Sequence, residues 1–254
     1  MLSRVEAQSP PTKLCIFGDS HLSAASRALK EAPVLGDLAY EFWGADGPSF
    51  RDLTLVDGRI TPGKIAKDVV ATVNGQGRET LGPTDFDAFL FYGARLRMSE
   101  FMPPMLDLLA RPFAHVSAAV ARKQVRSFLG KTRSYRFAQH FAAQNPKASV
   151  VFTPTSLLTA DILPRVANGY RYAKKAQEPH RAILRDLLDE AGREDGITFL
   201  HQPERTIVKG MFTDPAYGIA GAQEDKDAVH KAPAYARLIL ETYAKQVCLP
   251  VTQV

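Results

Sequence analysis

The chain has 254 residues, 45% apolar and 23% charged, with a formal net charge of +5, a composition ordinary for a folded globular protein with a full core. No apolar run approaches the roughly 20 residues of a membrane-spanning helix, and no Cys/His spacing resembles a metal site, so neither a membrane span nor a metal is expected. Residues 1–12 are polar and lack the apolar core of a secretory signal; with only Cys15 and Cys248, the chain reads as a cytoplasmic protein with a flexible leader (1–12) and a single domain (13–254).

The first strand is expected at residues 14–17, an apolar run that stops at Gly18-Asp19-Ser20-His21. A helix should follow over 24–32 and a second strand over 38–43, ending at Gly44 and Gly47. Leu55-Val56-Asp57-Gly58-Arg59-Ile60 carries Asp-Gly between β-type residues, which predicts a small hairpin excursion. A loop is expected at 74–78, then a third strand at 88–92 running into Gly93. Helices should cover 99–109, 116–129 and 131–144, with Gly130 as the break between the last two. A fourth strand, 149–153, ends at Pro154 and Thr155. The next helix, 180–192, places Ile183, Leu184, Leu187, Leu188 and Ala191 on one face. A fifth strand, 197–200, runs into His201. The last helix, 233–247, turns Tyr235, Leu238, Ile239 and Val247 inward. Strands apolar throughout, alternating with helices, argue for an α/β fold with a mainly parallel five-stranded sheet covered on both sides. Sites in such sheets form beyond the carboxyl ends of the strands, where Ser20, Gly44, Gly47 and Gly93 fall.

Ser20 follows the first strand, and Asp227-Ala228-Val229-His230 precedes the last helix. A serine hydroxyl becomes a strong nucleophile when a base takes its proton and a third group holds that base. Spacing of three lets the Asp227 carboxylate reach Nδ1 of His230 and leaves Nε2 for Ser20. The order Ser, Asp, His is that of the α/β-hydrolases, but their G-x-S-x-G elbow is absent, since Leu22 holds the fifth position.

The blocks Ile16-Phe17-Gly18-Asp19-Ser20-His21 and Asp227-Ala228-Val229-His230 together resemble those of the SGNH/GDSL hydrolase superfamily, over nearly the whole chain. The resemblance implies a three-layer α/β/α, flavodoxin-like fold. It also implies catalysis by Ser20, Asp227 and His230 without a cofactor. The oxyanion hole would use the Ser20 N–H, a glycine that is Gly44 or Gly47, and an asparagine of a third block. That third block reads Gly93-Ala94-Arg95, so the amide donor is missing and Arg95 stands in its place. The expected activity is that of a serine esterase or O-acyltransferase working through an acyl-serine on a small-molecule or glycan ester.

Bland readings stand beside these. Ser20 is also a favoured helix cap, and His230 a helix-start histidine. Asp214 and Asp225 compete with Asp227 as orienting acid. His21 either lines the pocket or faces solvent, His201 reads as structural, and Arg95 and Arg97 read either as donors or as surface. Residues 108–160 hold eight cations and no acid, so the rest of the chain is net negative. That stretch reads as a solvated basic face, a dimer surface, a cover over the pocket, or the anion-binding surface of a catalytically weak glycan- or acyl-binding module. Nucleic acid is not an expected partner; a homo-oligomer is compatible with the sequence.

Overall fold

The computed structural model describes residues 13–163 and 169–247, with the side chain of Val247 excepted; the leader 1–12, Cys248 and the inward placement of Val247 lie outside the described residues. β1 (Lys13–Gly18) runs through a turn into α1 (Leu22–Glu31), whose Leu22, Ala25, Ala28 and Leu29 form one buried stripe. The helix stops at Ala32, held extended before Pro33. β2 (Ala39–Gly44) is followed by the hairpin β3 (Leu53–Val56) and β4 (Arg59–Pro62). Its two-residue turn needs positive φ twice, and Asp57 (49°) and Gly58 (75°) supply it, as the Asp-Gly pair predicts.

α2 (Lys67–Asn74) fills a stretch in which sequence reasoning saw only the start of a loop; it ends at Gly75 in a left-handed conformation. Its short pattern, with Val70 the one buried apolar residue, gives little periodic signal. β5 (Ala88–Arg97) is longer than expected and leads to α3 (Met98–Leu109). α4 (Ala118–Lys131), capped by Ser117, continues through Gly130; the break before α5 (Arg133–Gln144) is the extended Thr132 instead. β6 (Ser149–Thr155), α6 (Glu178–Glu194), β7 (Thr198–Phe199), the small hairpin β8 (Ile207–Val208) and β9 (Phe212–Thr213), and α7 (Pro233–Val247) complete the described elements. On α6, Leu184, Leu188 and Ala191 are buried as expected, but Ile183 is exposed, on the edge of the apolar stripe.

The strands β2-β1-β5-β6-β7 form one all-parallel sheet, the doubly wound order of flavodoxin-like folds. Alternation along each strand feeds two cores. Leu14, Ile16, Leu90 and Tyr92 face α1 and α7. Cys15, Phe17, Phe89 and Phe91 face the layer of α3, α4, α5 and α6. The expected three-layer α/β/α arrangement with a hairpin excursion is therefore present. One aromatic residue per strand sits in register across the second face. Trp43, Phe17, Phe91, Phe152 and Phe199 follow one another at ring-centroid separations of 5.9, 4.9, 5.4 and 6.1 Å. Among the described residues, no helix is long and apolar enough to cross a membrane.

Candidate active site

Three strands converge tightly at the carboxyl edge of the sheet. A side chain at Gly44 would place its Cβ 1.9 Å from the Gly18 carbonyl oxygen, and one at Gly18 would come within 2.4 Å of Tyr92 O. Only glycine lets the strand ends approach so closely. The turn that follows Gly18 lifts Ser20 to the rim, just before α1.

His230 arrives from the other end of the chain. Asp227 Oδ1 accepts the backbone N–H groups of Val229 (2.9 Å) and His230 (3.0 Å), which folds the loop back on itself. Its Oδ2 lies 2.7 Å from His230 Nδ1, and His230 Nε2 lies 2.8 Å from Ser20 Oγ. Burial works to raise the Asp227 pKa, but the hydrogen bonds from His230 and Val229 outweigh it and hold the carboxyl below its ordinary value. An ionised Asp227 takes the Nδ1–H, which turns the Nε2 lone pair toward the serine hydroxyl. Chemically, the three side chains form a proton relay able to draw a proton off Ser20. Neither competing acid joins it among the described contacts: Asp214 caps a short helical turn through Ala216 N, and Asp225 lies near Gly221.

Asp19 serves the turn. Its Oδ1 accepts from His21 N (3.2 Å) and lies 2.6 Å from His21 Nδ1; its Oδ2 is 3.8 Å from Arg95 Nε. Burial opposes ionisation of Asp19, yet the His21 and Arg95 contacts prevail and lower its pKa. His21 is thus packed inward over Gly93, its ring centroid 5.2 Å from that of His230, and does not point to solvent.

The third block is a bulge. Gly93, Ala94 and Arg95 all have positive φ (69°, 20° and 57°), and the β5–β6 register shifts between Gly93 and Arg97. Ser134, at the start of α5, holds the bulge by donating to the Ala94 carbonyl. Position 95 has the left-handed backbone that Asn tolerates well and arginine adopts only at a cost, about 1–3 kcal/mol. The Arg95 guanidinium is engaged. Nη2 donates to Gly47 O, Nε faces Asp19, and the group lies 5.4 Å over the Phe50 ring. It ties the Gly47 turn to the serine turn. Gly44 is confined to the strand ladder beside Gly18, whereas Gly47 (φ 39°) lies in the open turn beyond β2.

One buried charge escaped sequence reasoning. Lys231 follows His230 and reads as a solvated cation at a helix start, yet it is 4% exposed. Its Nζ donates to Ala228 O (2.9 Å) and Val229 O (2.8 Å), fastening the loop that carries His230. Burial pushes its pKa down to about 7, with Asp227 pulling the other way. His201, by contrast, is held 2.7 Å from Asp189 in a structural contact.

Beside Ser20 opens a cleft of about 670 Å³, with Leu22, Phe42, Val69 and Val73 as apolar lining and Asp46 and Asp68 at its polar positions. Helix α2, unseen in the sequence, builds one wall. Part of the acid-free stretch is neutralised within the molecule: Arg111 pairs with Asp107, Arg122 with Glu190, and Arg126 with Glu194 and Asp195.

No protein-family profile matches the chain, and no curated protein matches it in sequence. Solved structures align with it over most of its length. The periplasmic domain of a lipopolysaccharide acetyltransferase from Salmonella ser. Paratyphi A aligns at 10% identity and a TM-score of 0.44, over 96% of this chain and 86% of that one. A variant of a Geobacillus stearothermophilus acetyl-xylooligosaccharide esterase aligns at 14% and 0.39, over 98% and 99%. A carbohydrate acetylesterase from Sinorhizobium meliloti aligns at 13% and 0.39, over 93% and 98%. Similarity at this level does not transfer a reaction or a substrate.

Proposed function

We propose that the protein is a serine esterase or O-acyltransferase acting on an acylated carbohydrate or a related ester. The observation that carries this reading is the unbroken relay Ser20 Oγ, His230 Nε2, His230 Nδ1, Asp227 Oδ2, at 2.8 and 2.7 Å. Ser20 Oγ bonds to the ester carbonyl carbon as its proton passes to His230 Nε2. The tetrahedral oxyanion faces the N–H groups of Ser20 and Gly47, the latter held by Arg95. Collapse breaks the bond to the alcohol oxygen, which takes the proton from His230. Water or a sugar hydroxyl then gives its proton to His230 and attacks the acyl-serine. The acyl group leaves as free acid or as a new ester, and Ser20 recovers its proton. Asp227 holds the imidazole orientation and stabilises the imidazolium at each protonation.

The test is to mix the protein with 4-nitrophenyl acetate, quench in acid and map the peptides by mass. One acetyl group on Ser20, absent from Ser20→Ala, is the expected result. A nitrophenolate burst with no acetyl on Ser20 would sink the proposal. The engagement of Arg95 with Gly47 and Asp19 favours a second reading, a binding module with little turnover, because a missing oxyanion donor costs about 10²–10³ in rate. Efficient turnover that is lost in His230→Ala would end that reading.

A further inference from the structure

Arg95 also lines a second groove of about 360 Å³, which shares no lining residue with the apolar cleft. Arg51, Arg95, Arg97, Lys131 and Arg133 line it against a single carboxylate, Glu100. One partly exposed aromatic side chain, Phe128, completes its wall, while Phe50 is buried beneath the Arg95 guanidinium. Glu100 is committed to Arg97 at 2.8 Å, and Asp19 lies 3.8 Å from Arg95. Arg133 donates only to backbone carbonyls, Leu53 O at 3.0 Å and Arg51 O. Arg51 and Lys131 have no carboxylate within salt-bridge distance among the described residues.

Elsewhere in the molecule, clustered arginines are matched. Arg122 and Arg126 meet the carboxylates of α6 and Asp195, and Arg181 and Arg185 meet Glu204 and Glu178. In the groove five cations converge on one concave surface, and three of them, Arg51, Lys131 and Arg133, meet no carboxylate among the described residues. Burial is the main cause that lowers the Arg95 pKa; Asp19 opposes it, and the nearby Arg97 and Arg51 charges add smaller downward contributions. Such a concentration of like charge costs stability unless an anion answers it.

Arg95 connects this groove to Ser20, because it also holds Gly47 and faces Asp19 beside the nucleophile. We infer that the groove is the subsite for an anionic saccharide, a sugar carrying carboxylate groups whose neighbouring ester is presented to Ser20. This rests on the esterase reading for its substrate class. Guanidinium forks match carboxylates in two-point contact, and the partly exposed Phe128 ring can meet the apolar face of a sugar. The volume suits a few sugar residues rather than an extended polymer.

The test uses hexagalacturonate as the probe and calorimetric titration of Ser20→Ala, with uncharged xylohexaose and a single-stranded hexanucleotide alongside. The uronate should bind, and weaken on raising salt from 0.05 to about 0.5 M. Xylohexaose should not bind measurably, and the hexanucleotide should bind more weakly than the uronate. Arg51→Gln with Lys131→Gln should weaken uronate binding about ten- to a hundredfold. The charge reversal Lys131→Glu alone should weaken it in the same direction, with the melting temperature checked for each variant. Absence of uronate binding, equal affinity for the hexanucleotide, or folded variants that bind as well as the parent would overturn the inference. The acetyl-Ser20 experiment reports separately. Binding without acetylation removes the esterase reading and leaves the anion groove; acetylation without binding does the reverse.

Discussion

Asp227 and Ser20 occupy opposite nitrogens of one imidazole, and that arrangement follows from local chemistry. A carboxylate three residues ahead of a histidine closes on two backbone N–H groups and on the ring itself, so the D-x-x-H spacing is readable as geometry. Arg95 is different. That Arg95 stands where the resemblance expects asparagine is legible in the sequence, but its target, the Gly47 carbonyl, depends on a β-bulge that no local pattern announces. Lys231 was invisible for a like reason: a lysine beside a helix start is normally wet, and only the fold shows that it is covered. Its titration makes a prediction. The folded pKa is about 7 and the ordinary one 10.5. Between those values the unfolded chain holds a proton that the folded chain has lost, so this group makes stability rise with pH across that window. Denaturant titrations at pH 7 and pH 10 should show a smaller gain in Lys231→Met than in the parent. An equal gain in both would mean that Lys231 keeps its proton in the folded protein.

Strands and long helices were legible as elements because each carries its period or its apolar run within itself. The sheet strands 14–17, 88–92 and 149–153 fall within β1, β5 and β6. The Asp-Gly turn names its own conformation. Helix α2 was missed because eight residues with one buried apolar side chain give no periodicity, and its contribution is a wall of the cleft. The break after α4 differs from the expected one by two residues because glycine is tolerated in a helix end: the helix runs through Gly130 and the extended Thr132 separates it from α5. The aromatic row across the sheet also needs the strand order to be known. Phe91 is its middle member, fully buried between Phe17 and Phe152. Phe91→Ala should cost about 3–5 kcal/mol and lower the melting temperature, read by thermal denaturation. A loss below about 1 kcal/mol would mean that the row does not bear on stability.

For the molecule as a whole, the two ends of the chain have to meet. β1 is the second strand of the sheet, α1 and α7 share its outer face, and Arg237 on α7 reaches Glu31 on α1 at 3.3 Å. That layer delivers His230 to Ser20 across 210 residues of sequence. The charge distribution is also a property of the whole molecule. An acid-free segment reads as one basic face, but folding sets Arg122 and Arg126 against the acids of α6 and leaves Lys131 and Arg133 beside Arg95. The nucleophile and its base, so joined, are best tested by the rate at which a fluorophosphonate bonds to the protein, with the adduct located by mass. The expected result is an adduct on Ser20 whose formation slows by roughly 10³-fold or more in His230→Ala. An adduct on another residue, or an unchanged rate without the imidazole, would contradict the account.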